Sequence, residues 1–401
     1  MNNTESQLIE LLSRAIRKDN NIKIYDNVNW DNFINIATDH NIEGVIYSII
    51  NNNKDKLNIS DELLERMKAF AFYTGIAQVR KIAYLDIVFK EFNDNNIPVI
   101  ALKGLVVREL YPEPDQRSMC DADVLVNEKD IPRITEVLKN IGYDLESEDE
   151  HFHLKFRHRL YPMIEVHWSL IEGKELDEFL WKNTIKTKII NTEITTLGYE
   201  DFALHLCHHM VHHMIGMGFG LRQIADLVLF TEAYRYKIDW TSFRNKAKEQ
   251  EIERFTLIIF ALCRNLFNME IPEEVLDRDI IYSPNLELLI EDIIVGGVFG
   301  TSDKTKTIGN SISINMNQND DNPFISMMKK LIIVLNPADE TLEGKYSYAK
   351  KIKILKPIAG IQQIYHGRFN GDYSLIENIR ILYRGIKISK DRNNLIRWLE
   401  I

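Results

Sequence analysis

The segment Met119-Cys120-Asp121-Ala122-Asp123-Val124-Leu125-Val126 constrains this chain more than any other. In an extended strand residues i and i+2 point to the same side, so Asp121 and Asp123 share one face while Val124 and Val126 face a core. Two like charges held this close repel unless a cation sits between them. Mg²⁺ suits such a pair. It takes hard oxygen ligands from one or two carboxylates and leaves its other positions to substrate phosphates. The pattern therefore implies phosphoryl or nucleotidyl transfer.

A third carboxylate follows in Met163-Ile164-Glu165-Val166-His167-Trp168, where Glu165 alternates with apolar neighbours as in a second strand. If the two strands lie side by side, three carboxylates can hold two divalent ions. One would activate the attacking oxygen, and the other would hold a triphosphate and stabilise the departing pyrophosphate. Asp121 and Asp123 would bridge the ions, while Glu165 would bind the catalytic one and help deprotonate the nucleophile. By alternation His167 lies on the side of Glu165, where it would touch nucleotide or acceptor. Trp168 falls on the opposite face, with the core.

The surrounding pattern runs helix, mixed α/β, helix. Leu8, Leu11, Leu12 and Ile16 form one apolar stripe, and Ser60 to Phe92 carries a longer one with Ser60 as its N-cap. The period changes at Ile97–Leu102, a short apolar run that reads as a buried strand ending at Lys103-Gly104. Leu105 to Tyr111 reads as a short helix broken at Pro112 and Pro114. Lys129 to Asn140 reads as another, closed by Gly142 where a left-handed C-cap favours glycine. Phe152–Phe156 and Met163–Trp168 read as a strand pair. The fold class expected is α+β, a small mixed-sheet core flanked by helices. Its parts are an N-terminal helical region (1–94), an α/β core (95–198), a helical domain (199–300), a polar linker or loop (301–322) and a basic helical C-terminal region (323–401).

Composition narrows the classes. With 45% apolar and 27% charged residues the chain reads as an ordinary globular protein. The polar start, Met1 to Gln7, does not look like a signal peptide, and the apolar run Phe255–Cys263 is too short to span a bilayer. Cys120, Cys207 and Cys263 lack any CxxC spacing, which fits reduced thiols in a cytoplasm. Cys120 reads as a small buried hydrophobe. The net charge of −10 is uneven, because residues 345–397 hold twelve Lys and Arg against three Asp and Glu. Such a segment either recruits RNA, anionic lipid or an acidic partner, or packs as a solvated face on the acidic body.

The combination of Leu102-Lys103-Gly104, then Arg117, Asp121 and Asp123 with Leu125-Val126, then Gly142-Tyr143, and finally Glu165-Val166-His167-Trp168 resembles the uncharacterised nucleotidyltransferase family of the polymerase-beta-type superfamily. The resemblance continues through His205, His209, Leu221-Arg222 and Asp226-Leu227, and so covers about residues 60–235. It implies a nucleotidyltransferase core that binds an NTP donor with Mg²⁺, or with Mn²⁺ in its place. Asp121 and Asp123 match the metal-binding pair and Glu165 the third carboxylate. Lys103 and Gly104 stand where the superfamily has a glycine-rich turn, usually Gly-Ser, whose backbone amides meet the triphosphate. Lys103 would supply positive charge to the phosphates, or else pair with one of the aspartates. Arg117 would clamp a phosphate, since a guanidinium suits bidentate contacts, and Ser118 is grouped with it as nucleotide-binding.

The activity expected from this resemblance is transfer of a nucleoside monophosphate to a hydroxyl or phosphate of a small-molecule, sugar or peptide acceptor. The acidic body disfavours a nucleic-acid groove. Two alternatives stay open. One is a toxin-like enzyme that modifies protein or tRNA, recruiting RNA through 345–397. The other is a catalytically inactive nucleotide-binding or scaffold subunit, suggested by the Lys103-Gly104 departure.

One further motif stands apart. His205, His208, His209, His212 and His213 place five of eleven histidines within nine residues. Pairs at i, i+4 could hold a transition metal, but no HExxH glutamate accompanies them. Leu204, Leu206, Met210, Val211 and Met214 interleave. The expectation is a largely buried helix in which one or two histidines line the pocket opposite the carboxylates or hydrogen-bond inside the helical domain. Arg222 and Asp226, also four apart, are expected to form an internal salt bridge or otherwise to contact substrate.

Overall fold

The computed structural model describes residues 1–147, 153–170, 178–216, 218–297, 346–359, 392 and 394–401. Helices α1 (Asn3–Ala15), α2 (Trp30–Asp39), α3 (Glu43–Asn52) and the single turn α4 (Lys54–Leu57) precede the long α5 (Asp61–Asp94). Helices α1, α2 and α5 begin where a short polar side chain can satisfy a free backbone amide: Asn2, Asn29 and Ser60 accept from Glu5, Asn32 and Leu63. The N-cap expected at Ser60 is therefore formed. With 34 residues, α5 runs about 50 Å. Its first turns put Leu63, Leu64 and Met67 into the core of the N-terminal helices. Its last turns put Leu85, Val88, Phe89 and Phe92 beneath the sheet.

That sheet has seven strands: β1 (Ile100–Ala101), β2 (Asp121–Leu125), β3 (Asp144–Ser147), β4 (His153–Arg157), β5 (Met163–His167), β6 (Thr184–Ile189) and β7 (Thr192–Leu197). Their spatial order is β3-β4-β5-β2-β1-β7-β6. β2 and β5 run parallel with Asp123 opposite Glu165, and β1 runs parallel to β7. The other neighbours are antiparallel. The fold is α+β with a mixed sheet, as expected.

Alternation divides the sheet into two chemically different faces. Ala122, Val124 and Val126 of β2, with Ile164 and Val166 of β5, pack against α5 and against Ile134, Val137 and Leu138 of α7 (Ile131–Asn140). On the other face Ile100, Leu125 and Leu197 join a second core shared with the helices after the sheet. Those helices are α9 (Tyr199–Gly216), α10 (Leu221–Tyr234), α11 (Trp240–Glu249), α12 (Glu253–Phe267), α13 (Arg278–Ile281) and α14 (Pro284–Gly296), following a one-turn α8 (Glu178–Lys182). The same core takes in Leu8, Leu11 and Leu12 of α1, so both helical regions close over one face of the sheet. Among the described residues no helix is long and apolar enough to cross a membrane.

Several expectations change. Of the run 97–102 only Ile100–Ala101 is paired as strand, because Pro98 cannot donate to a ladder and the chain turns sharply at Lys103. The β6–β7 hairpin escaped notice because its turn, Ile190-Asn191, has no glycine, although Ile190 takes a positive φ of 47°. The glycine expected at the end of α7 is there, with Gly142 at φ 93°. Cys120 is exposed rather than buried, since it sits at the mouth of β2. Trp168 is half-buried rather than a core residue, because β5 ends at His167. Phe152, the polar stretch 301–322 and most of the basic stretch 345–397 lie outside the described residues.

Buried polar contacts join the loop entering β2 to the helical layer. Arg117, in the loop entering β2, sets Nη2 at 2.6 Å from Asp226 Oδ2 and Nε at 3.2 Å from Oδ1 on α10. Tyr111 donates to the same carboxylate at 2.7 Å. Arg117 and Asp226 are 6% and 4% exposed. Burial disfavours charge on the guanidinium, but the charge and hydrogen bonds of Asp226 more than offset it and raise its pKa. The expected Arg222–Asp226 bridge is not made. Arg222 instead gives Nη1 to the carbonyl and hydroxyl of Ser118, at 3.0 and 3.1 Å. Asp226→Asn is expected to cost about 3–5 kcal/mol by leaving a buried guanidinium uncompensated. Urea unfolding should show this, and should show much of it regained in Arg117→Met/Asp226→Leu.

Candidate active site

The polar face of β2 and β5 opens on a cavity of about 520 Å³, whose opposite wall is α9. Asp123 and Glu165 are brought side by side by the β2–β5 register. Lys103 Nζ lies 2.8 Å from Asp123 Oδ1, and His167 Nε2 lies 3.0 Å from the same oxygen. His167 Nε2 is also 3.7 Å from Glu165 Oε2. Asp123, Glu165 and His167 each offer one ligand atom, all within 4.8 Å of one another. Among the described residues this is the one such group of metal-ligating side chains.

Electrostatics sort these groups. Burial alone would raise the Asp123 carboxyl, but Lys103 and His167 hold it well below the usual range. Glu165 is likewise drawn down, chiefly by His167 against the effect of burial. Asp121 goes the other way, raised by burial and then by the charges of Asp123 and Glu165. His167 is raised, because its bonds to Asp123 and Glu165 outweigh burial.

Lys103 adopts φ 47° and ψ −126°, a conformation that costs a residue with a side chain about 1–3 kcal/mol. The surrounding contacts over-determine it. Its neighbour Gly104 opens the one-turn helix α6 (Gly104–Val107), and a Cβ there would lie 2.2 Å from Arg117 Nη1. Only glycine lets the strained turn pack against the buried guanidinium.

A family model described as uncharacterised nucleotidyltransferase matches residues 26–268. The chain belongs to that family. No curated protein matches it. Two solved structures are similar. The antibiotic-resistance factor ANT(2'')-Ia is 10% identical with a TM-score of 0.34, covering 43% of this chain and 96% of that one. The lincosamide antibiotic adenylyltransferase LnuA, bound to lincomycin, is 15% identical with a TM-score of 0.29, covering 37% of this chain and 95% of that one.

In this nucleotidyltransferase the expected carboxylates meet on one face, with a change of membership. The tight group is Asp123, Glu165 and His167, while Asp121 stands on the same face one alternation away. His167 was expected to touch nucleotide or acceptor. Its position two residues after Glu165 was the signal for a closer role. Of the two readings open for Lys103, the ion pair with an aspartate is the one formed. Arg117 and Ser118 both have partners within the chain. The guanidinium expected to clamp a phosphate is held by Asp226, and Ser118 receives Arg222.

The α9 histidines do line the wall opposite the carboxylates. His209 and His213 touch through their Nε2 atoms at 3.1 Å, and His208 meets Gln250. Neither ring nitrogen of His205 has a hydrogen-bond partner among the described residues, and the residue is 7% exposed. Burial, then the charge of Lys103, pushes His205 and His209 well below the ordinary histidine range and His213 down to about 4. These three imidazoles are neutral at neutral pH.

The raised pKa of His167 carries a sign. A histidine raised above its ordinary 6.5 adds stability fully present below 6.5 and lost as pH rises through the folded-state value. In metal-free protein His167→Gln should therefore cost roughly 1.5–3 kcal/mol near pH 6, the range for hydrogen bonds to charged groups. The difference should shrink by about pH 9, well above the ordinary histidine value. Urea unfolding of both proteins at the two pH values checks this, and a difference that grows with pH would contradict it.

Proposed function

We propose that this nucleotidyltransferase moves a nucleoside monophosphate from an NTP to a hydroxyl or phosphate of a small-molecule, sugar or peptide acceptor, using a divalent cation, Mg²⁺ or Mn²⁺. The observation that carries the reading is the convergence of Asp123, Glu165 and His167, with Asp121 on the same face, at the floor of one cavity. Three ligand atoms within 4.8 Å of one another fit a single divalent ion.

A bound cation would neutralise charge on the triphosphate and stabilise the departing pyrophosphate. Asp123 and Glu165 are the carboxylates to hold it, and Asp121 adds negative charge beside them. Lys103 now answers the charge of Asp123. With a cation in that place, its ammonium is free to meet the phosphates. The acceptor oxygen bonds to the α-phosphorus as the bond to pyrophosphate breaks, and the acceptor's proton passes to the carboxylate cluster. Arg117 and Arg222 shape the rim of this cavity by holding Asp226 and Ser118.

The opposite wall favours a small acceptor. The neutral imidazoles of His205, His209 and His213, interleaved with Leu206, Val211 and Ile215, offer hydrogen bonds and apolar contact without the positive charge that a polyanion requires. This supports a hydroxyl-bearing molecule over tRNA.

Thermal shift with ATP, CTP, GTP and UTP, each with Mg²⁺, Mn²⁺ or EDTA, tests the reading on wild type and Asp121→Ala/Asp123→Ala. A nucleotide at 100 times its Kd should add about 2.7 kcal/mol of stability. The stabilisation should need metal and vanish in the double variant. No shift with any nucleotide would sink the proposal, and a metal-independent shift would favour a nucleotide-binding subunit without turnover.

A further inference from the structure

The metal group contains an imidazole that an all-carboxylate site would not. His167 lies on the interior strand β5, which is hydrogen-bonded to β2 on one side and β4 on the other. The residue is 8% exposed, and its ring packs 4.9 Å from that of His153. Its Nε2 points between the two carboxylates, at 3.0 Å from Asp123 Oδ1 and 3.7 Å from Glu165 Oε2. A side chain held this way by the sheet is a fixed part of the carboxylate cluster. A cation that contacts Asp123 and Glu165 together meets Nε2 as well.

Mg²⁺ is a poor match for that set. It demands oxygen ligands in near-ideal octahedral geometry and gives up its waters reluctantly. An imidazole nitrogen suits first-row transition ions, whose affinity for nitrogen donors exceeds that of Mg²⁺. A neutral imidazole also adds a third ligand without a third negative charge, so Asp123 and Glu165 by themselves balance a divalent ion.

We propose that His167 is a metal ligand through Nε2, and that the site consequently selects a first-row transition ion such as Mn²⁺ over Mg²⁺. This rests on the metal-binding part of the function proposed above and names the ion that part leaves open. The companion expectation is that Lys103 moves away from Asp123 when the ion enters, because the ammonium and the cation repel each other beside one carboxylate.

The test uses the full chain with Mn²⁺ alone as the probe, followed by electron paramagnetic resonance. Titration reads binding, and pulsed measurement reads the magnetic coupling of a coordinated ¹⁴N nucleus. Wild type should bind Mn²⁺ with a directly coordinated nitrogen, and a tenfold excess of Mg²⁺ should displace little of it. His167→Gln should lose the nitrogen coupling and bind Mn²⁺ roughly tenfold or more weakly, by analogy with disrupted metal surroundings. His167→Asp replaces nitrogen with oxygen and should let Mg²⁺ compete on nearly equal terms, which separates lost ligation from lost folding. Bound Mn²⁺ without nitrogen coupling in wild type would overturn the proposal and leave an oxygen-only site, with the proposed function intact. Coupling that persists in His167→Gln would overturn it by assigning the nitrogen to another histidine. No binding of either ion by wild type would overturn both this inference and the cation-dependent function.

Discussion

The buried ion pair between Arg117 and Asp226 is the contact on which the site's geometry depends. It pins the loop that leads into β2 against α10, and Tyr111 completes the carboxylate's shell. A guanidinium and a carboxylate brought out of water lose hydration worth several kcal/mol each, and good bidentate geometry is needed to offset that loss. The demand for that geometry is what makes the pair a rigid reference point. Gly104 packs directly on it, and so the turn carrying Lys103 is set by the same contact. Arg117 thus holds the cavity wall in place.

From that fixed loop the charge pattern of the floor follows. Three carboxylates share one face of β2 and β5, and their mutual repulsion is answered by Lys103 and His167. Asp123 sits between those two positive partners and gives up its proton most readily, while Asp121, raised by burial and by the charges of Asp123 and Glu165, keeps its own longer. The strained backbone at Lys103 belongs to the same arrangement, since a lysine there costs conformational energy and its side chain reaches Asp123.

Much of this was legible from residue order. Period-two alternation around Asp121, Asp123 and Glu165 correctly placed them on one face, because strand side chains alternate whatever the strand's neighbours are. Ser60 and Gly142 announced a helix start and a helix end through local hydrogen bonding and a positive φ, both short-range effects. That one or two histidines of α9 would line the wall opposite the carboxylates was one of two readings; all five line it, because their interleaving with Leu206, Met210 and Met214 leaves them one side to occupy. Other features were not legible. The β6–β7 hairpin turns through Ile190-Asn191 without the usual glycine signal. The pairing of Arg222 with Asp226 looked natural at helical spacing, yet a guanidinium 109 positions away reached Asp226 first.

By itself, then, the sequence determined the α+β class, the strand carrying two aspartates, the third carboxylate on a like strand and the histidine-rich helix. These follow from periodicity and from interactions within a few residues, which any backbone of that local shape expresses. Only the tertiary structure decided which of those groups meet. The parallel register of β2 and β5 set Asp123 opposite Glu165 and drew in His167, and long-range packing gave Asp226 to Arg117 rather than to Arg222. The physical reason is that ion pairing and metal ligation act over a few ångströms. Those few ångströms are set by strand order and by how helices close over a sheet, neither of which local residue order encodes.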